Sequence, residues 1–71
     1  GISQLTPTER KVFDLYLEGK NAKEILAILG VTENTLKFHN KNIYNKLGVS
    51  SRKQLLRYAT LLKQQEGKEQ Q

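Results

Sequence analysis

The sequence predicts an all-α fold: a compact four-helix domain containing a helix-turn-helix, with helices over about 6–18, 22–29, 33–47 and 51–64. Three observations predict it. Apolar residues recur at three- and four-residue intervals in four successive segments, and no segment shows the strict alternation of a strand. Each segment opens on a residue that can cap a helix N-terminus. Gly19, Gly30 and Gly48 stand where the first three helices should close in a left-handed turn.

The first helix opens with Thr6, Pro7 and Glu9, a capping box with proline at a position whose N–H would be unpaired anyway. Val12, Phe13, Tyr16 and Leu17 repeat at helical spacing, with Leu15 beside them. Asn21 and Glu24 repeat the box for the second helix. There Ile25, Leu26, Ile28 and Leu29 predict a short, heavily buried element ended by Gly30. Val31 follows, and Thr32 can cap the third helix. At about 100° per residue, Leu36, Ile43 and Leu47 fall in one narrow arc with Asn40 beside them. Asn34, Lys37, Phe38, Lys41 and Asn45 fall on the opposite side. The fourth helix begins with Ser51 and Gln54, another box. Leu55, Ala59 and Leu62 face one way with Tyr58 at the edge, while Leu56 and Leu61 project to either side.

The 71 residues make one domain with a thin core. Without cysteine there is no disulfide, and with one histidine a structural zinc site is not expected. Association with a second copy is the remaining aid to stability. No apolar run reaches the length of a membrane span, and no signal peptide is visible. Residues 1–4 read as a lead-in or the scar of a tag, 5–65 as the domain, and 66–71 as a polar, disordered tail. The net charge of +5 favours an anionic partner without identifying it.

Residues 22–41 meet the needs of a helix-turn-helix. Ile25 and Leu29 supply the inner side of its first helix, Gly30 the turn, Val31 the plug, and Leu36 the lock of its second helix. Over the whole chain the resemblance sharpens. Leu5-Thr6, Glu9, Gly19, Lys23-Glu24-Ile25 and Leu29 come first. Thr35, Lys37, His39, Ile43, Lys46-Leu47-Gly48-Val49, Arg52 and Gln54 follow. In that order the chain resembles the LuxR/GerE-type DNA-binding domain of bacterial transcription regulators over roughly residues 5 to 59. Leu26 stands where the family usually has a small alanine, Leu36 replaces the usual valine, and Phe38 is larger than is common.

The resemblance implies that the third helix enters the DNA major groove. Asn34, Lys37, Phe38 and Lys41 are then the base-edge candidates: Lys can donate to guanine O6 and N7, Asn can pair with adenine, and an apolar tip can meet a thymine methyl. Asn21, Lys23, Thr32, Thr35, Lys46 and Arg52 are the phosphate candidates. Arg52 has a second reading, as partner of a carboxylate such as Glu9. His39 reads as structural or phosphate-adjacent. The resemblance also implies a homodimer through the fourth helix, using Leu56, Tyr58 and Leu61, on a pseudo-palindromic double-stranded operator. The expected setting is cytoplasmic and nucleoid-associated, with RNA polymerase as a further candidate partner.

Each assignment has a plainer reading: a solvated face for Lys37 and Lys41, packing on another surface for Phe38, ordinary surface leucines for Leu56 and Leu61. A helical module docking on an acidic protein partner, with Phe38 as its anchor, is the competing function. An enzyme is not expected, since the chain has one histidine, no cysteine, no glycine-rich phosphate loop and no acidic pair in a plausible pocket. No cofactor and no metal are expected.

Overall fold

The computed structural model describes residues 1–69, with side chains through Gln64. Four helices follow one another: α1 (Pro7–Leu17), α2 (Ala22–Leu29), α3 (Glu33–Leu47) and α4 (Arg52–Glu69). α4 runs past the expected end at 64. The polar tail expected over 66–71 thus falls partly on helical backbone, and residues 70–71 lie outside the described residues.

Local chemistry accounts for the helix ends. The Thr6 side chain accepts from the Glu9 N–H while the Glu9 carboxylate accepts from the Thr6 N–H, a complete capping box. Asn21 and Glu24 repeat it on α2. At α4 the expected box is shifted. Ser51 Oγ accepts from the Gln54 N–H at 3.2 Å, but the Gln54 carboxamide reaches back one residue further, to the Ser50 N–H at 2.8 Å. The turn of the helix-turn-helix is closed by Gly30 at φ 67°, and α3 by Gly48 at φ 72°. Both conformations are strained for a residue with a side chain.

The helices meet over one core. Val12, Phe13, Leu15 and Tyr16 of α1, Ile25 of α2, Leu36, Ile43 and Leu47 of α3, and Leu55 and Ala59 of α4 are buried. Fully burying a large apolar side chain contributes about 1.5–3 kcal/mol, so Phe13, Ile25, Ile43 and Leu55 are the chief anchors. Tyr58 is half-buried and meets the Phe13 ring edge-on, with centroids 6.2 Å apart. On α1, Leu15 is buried and Leu17 only half-buried, the reverse of the expected order.

One expectation is corrected. α2 is not heavily buried: Ile25 alone is enclosed, and Ile28 is 54% exposed. Leu26 and Leu29 lie to one side of Ile25 around the helix and Ile28 to the other, at 100° per residue. The short helix packs on one side only, against α3.

Residues 1–4 are more than a lead-in. Ile2–Gln4 form a turn of 3₁₀-helix against α3, and Ile2 packs on the core.

The strongest polar tie crosses the same region. The Lys46 ammonium of α3 donates to Glu9 Oε1 of α1 at 2.6 Å. Glu9 is the one buried charged residue among those described, 4% exposed. The bond from Lys46, then the Thr6 N–H, holds its carboxyl below the ordinary glutamate range, against the opposing effect of burial.

Candidate nucleic-acid interface

α3 is amphipathic in a particular way. Leu36, Ile43 and Leu47 attach it to the core. On the other side Asn34, Lys37, Phe38, Lys41 and Asn45 are all exposed. The only carboxylate of α3, Glu33, stands at its first residue and off this arc. The face therefore offers two ammonium groups, amides and one aromatic ring, with no negative charge among them. Phe38 is 62% exposed, and its ring meets only His39 among aromatic neighbours, centroids 5.8 Å apart. His39 is half-buried beside it. At that exposure the Phe38 ring lies outside the core.

The phosphate candidates divide by what already holds them. Lys23 is exposed and lines the groove between α2 and α3 together with Lys37, Leu26 and Glu33. Asn21 is exposed, but its side chain caps α2, and the Glu24 carboxylate sits on its N–H at 3.0 Å. That carboxylate places negative charge at the helix end where an incoming anion would sit. The N-terminus of α3 differs. Thr32 Oγ1 accepts from the Thr35 N–H at 3.2 Å, and the two hydroxyls lie 3.0 Å apart. Hydroxyls cap this end without a reciprocating carboxylate, although Glu33 stands in the first turn, and both threonines are exposed.

Lys46 and Arg52 stand where local sequence could not place them. Lys46 is engaged by Glu9, so its ammonium serves the α1–α3 contact. The suggested pairing of Arg52 with Glu9 does not form; Lys46 is the cation on that carboxylate. The Arg52 guanidinium lies 5.5 Å from the centre of the Tyr16 ring and donates to the Lys20 carbonyl at 3.4 Å. Its residue is otherwise exposed.

On α4, Leu56 is 37% and Leu61 54% exposed. They stand about 140° apart around the helix, with Arg57 and Gln64 between them on the outward side. Tyr58 stands about 60° from Leu61 and is half-buried with its ring against Phe13.

Two further groups near α3 escaped the sequence. The Tyr16 hydroxyl donates to Asn40 Oδ1 at 2.9 Å. Tyr44 is half-buried and lines the groove between α3 and the start of α4 with Lys41, Asn40 and Ser50. Burial, then the neighbouring Tyr16, pushes the Tyr44 phenol up despite Arg52, so it remains a neutral O–H. A polar residue at the edge of an apolar stripe, as Asn40 is, was the available signal.

Among the described residues no group of side chains could hold a metal ion, and no helix is long and apolar enough to cross a membrane.

Comparison with known proteins agrees with this geometry. The family model for bacterial regulatory proteins of the luxR family matches residues 3–59. The chain is similar to the transcriptional regulatory protein MctR of Rhizobium johnstonii, 42% identical over 59 residues, covering 83% of this chain and 28% of MctR. It is similar to the spore germination protein GerE of Bacillus subtilis, 44% identical over 50 residues, 70% of this chain and 68% of GerE. The transcriptional activator protein PhzR of Pseudomonas fluorescens is 42% identical over 45 residues, 63% of this chain and 18% of PhzR. The chain thus spans about a quarter of MctR and less of PhzR. No solved structure matches. Four helices around a helix-turn-helix and a family match over most of the length lead to one conclusion: the chain belongs to the luxR family of bacterial regulatory proteins, as a transcription regulator's helix-turn-helix domain and not an enzyme.

Proposed function

We propose that this domain binds double-stranded DNA sequence-specifically as a dimer, with α3 in the major groove. The observation that carries the reading is the outward face of α3: Asn34, Lys37, Phe38 and Lys41 all exposed, with no carboxylate among them. Lys37 and Lys41 present donors suited to guanine O6 and N7, Asn34 an amide suited to adenine, and Phe38 an apolar edge suited to a thymine methyl. Lys23, Thr32, Thr35 and Arg52 serve phosphates, whereas Asn21 is left to the fold, its N–H and side chain both engaged by Glu24. Lys46 is left to the fold, since its ammonium is already paired with Glu9. Dimerisation uses the outward side of α4, where Leu56 and Leu61 remain uncovered and the half-buried Tyr58 adjoins Leu61. A two-fold pair would set its recognition helices about 34 Å apart, one turn of DNA, on a pseudo-palindromic operator.

The test begins with selection of bound duplexes from a random pool, followed by fluorescence anisotropy on the selected site across a salt series. The expected result is a two-fold symmetric site whose affinity falls steeply with salt. Absence of any selected site, or affinity unchanged in both Lys37→Ala and Lys41→Ala, would contradict the reading.

A further inference from the structure

Tyr16 and Asn40 form a polar pair between α1 and α3, donor to acceptor at 2.9 Å. Tyr16 is buried, and Asn40 is half-buried at the edge of the apolar stripe of α3. Asn40 lies on the ridge between two grooves. It shares one with Lys23 and Lys37, and the other with Lys37, Lys41 and Tyr44. Its amide nitrogen bonds to none of the described residues, and no buried side-chain polar atom among them lacks a partner. The amino group therefore reaches solvent, while the carbonyl is turned inward to the Tyr16 hydroxyl.

We propose that Asn40 is a further DNA-contacting residue, whose amino group, aimed by Tyr16, donates to a backbone phosphate at the rim of the groove that α3 enters. The inference rests on the reading of α3 as the recognition helix and adds a residue to it. The bond to Tyr16 determines which target fits. Pairing with adenine needs the carbonyl and amino groups of an asparagine side by side at the base edge. Here the carbonyl is engaged at α1, so the outward edge is a donor alone. A donor alone, between Lys23, Lys37 and Lys41, suits a phosphate oxygen. Glu33 is the one carboxylate in the α2-side groove, and none lines the other. As a neutral group Asn40 fixes the register of the helix on the duplex without releasing a counterion, a role distinct from that of the lysines.

The experiment uses the selected duplex with one phosphate at a time replaced by an uncharged methylphosphonate, read by anisotropy. The unaltered chain is expected to lose affinity at several phosphates. Asn40→Ala is expected to bind the unmodified duplex about tenfold more weakly. It should show no penalty at one of those phosphates while keeping the others, with base preference and salt slope unchanged. Tyr16→Phe, nearly isosteric, frees the amide to turn and should weaken the penalty at that same phosphate; a thermal melt checks that it folds. A penalty profile identical in Asn40→Ala and the unaltered chain overturns the inference. So does a change of preference at a single base pair in Asn40→Ala, which would make it a base contact. If the unaltered chain binds no duplex, the recognition-helix reading fails first and this one with it. Binding with an unchanged profile defeats this one alone.

Discussion

The two halves of α3 are built from similar residues and treated differently by the fold. The C-terminal half is held from several directions. Ile43 is fully buried, Leu47 nearly so, and Lys46 is bound to Glu9. The turn at Ile2–Gln4 packs on the same helix. The stretch from Glu33 to Lys41 is anchored by Leu36 and turns Asn34, Lys37, Phe38 and Lys41 to solvent. Lys41 and Lys46 are five residues apart in sequence, about 140° around the helix, and meet different surroundings. One faces open solvent and the other a buried carboxylate. Attachment and the proposed recognition surface thus fall on different residues of one helix, and a substitution should affect one property or the other.

The largest effect should come from the attached half. Ile43→Ala empties a site with no solvent exposure and should cost about 3–4 kcal/mol of stability in chemical denaturation. For so small a domain, that leaves little folded protein.

The Glu9–Lys46 tie should matter next. Glu9→Gln keeps an acceptor for the Thr6 N–H but loses the charge opposite Lys46. It should cost about 1–2 kcal/mol near neutral pH. Its pH dependence has a definite sign. The folded chain holds the Glu9 carboxyl below its ordinary range, so the contribution is complete above the pH at which an unfolded glutamate titrates. It fades as pH falls through the lower folded value. Glu9→Gln should flatten this acid limb of stability, measured by denaturation at a series of pH values, the difference between the two chains being greatest near neutral pH.

The smallest effect on stability should come from the outward half. Phe38→Ala removes a ring that is mostly in solvent, so stability should change by less than about 0.5 kcal/mol. Repeating the site selection with this variant should relax the preference for thymine at one position in each half-site.

What the sequence disclosed follows the same division. The capping boxes at Thr6–Glu9 and Asn21–Glu24 were legible because each lies within four residues of chain. The outward face of α3 was legible because helical period alone sorts its residues. Glu9–Lys46 and Tyr16–Asn40 were not, being 37 and 24 residues apart in sequence. They depend on how α1 crosses α3, which no local pattern determines. Ile28 shows the converse. Its apolar side chain suggested a core place, but α2 is covered on one side only, and that limit is tertiary. Lys46 carried the appearance of a phosphate ligand for a similar reason. A lysine at the end of a candidate recognition helix cannot be told from a structural one until the carboxylate of another helix is placed beside it.

The most direct measurement compares Lys41→Ala with Lys46→Ala, each assayed for DNA affinity by anisotropy on the selected duplex and for stability by chemical denaturation. Lys41→Ala should lose about tenfold in affinity with stability within about 0.5 kcal/mol of the unaltered chain. Lys46→Ala should lose about 2 kcal/mol of stability, because a buried carboxylate is left without its cation, while the folded fraction keeps its affinity. Equal effects of the two substitutions on affinity, or a loss of stability from Lys41→Ala, would contradict the separation of attachment from recognition.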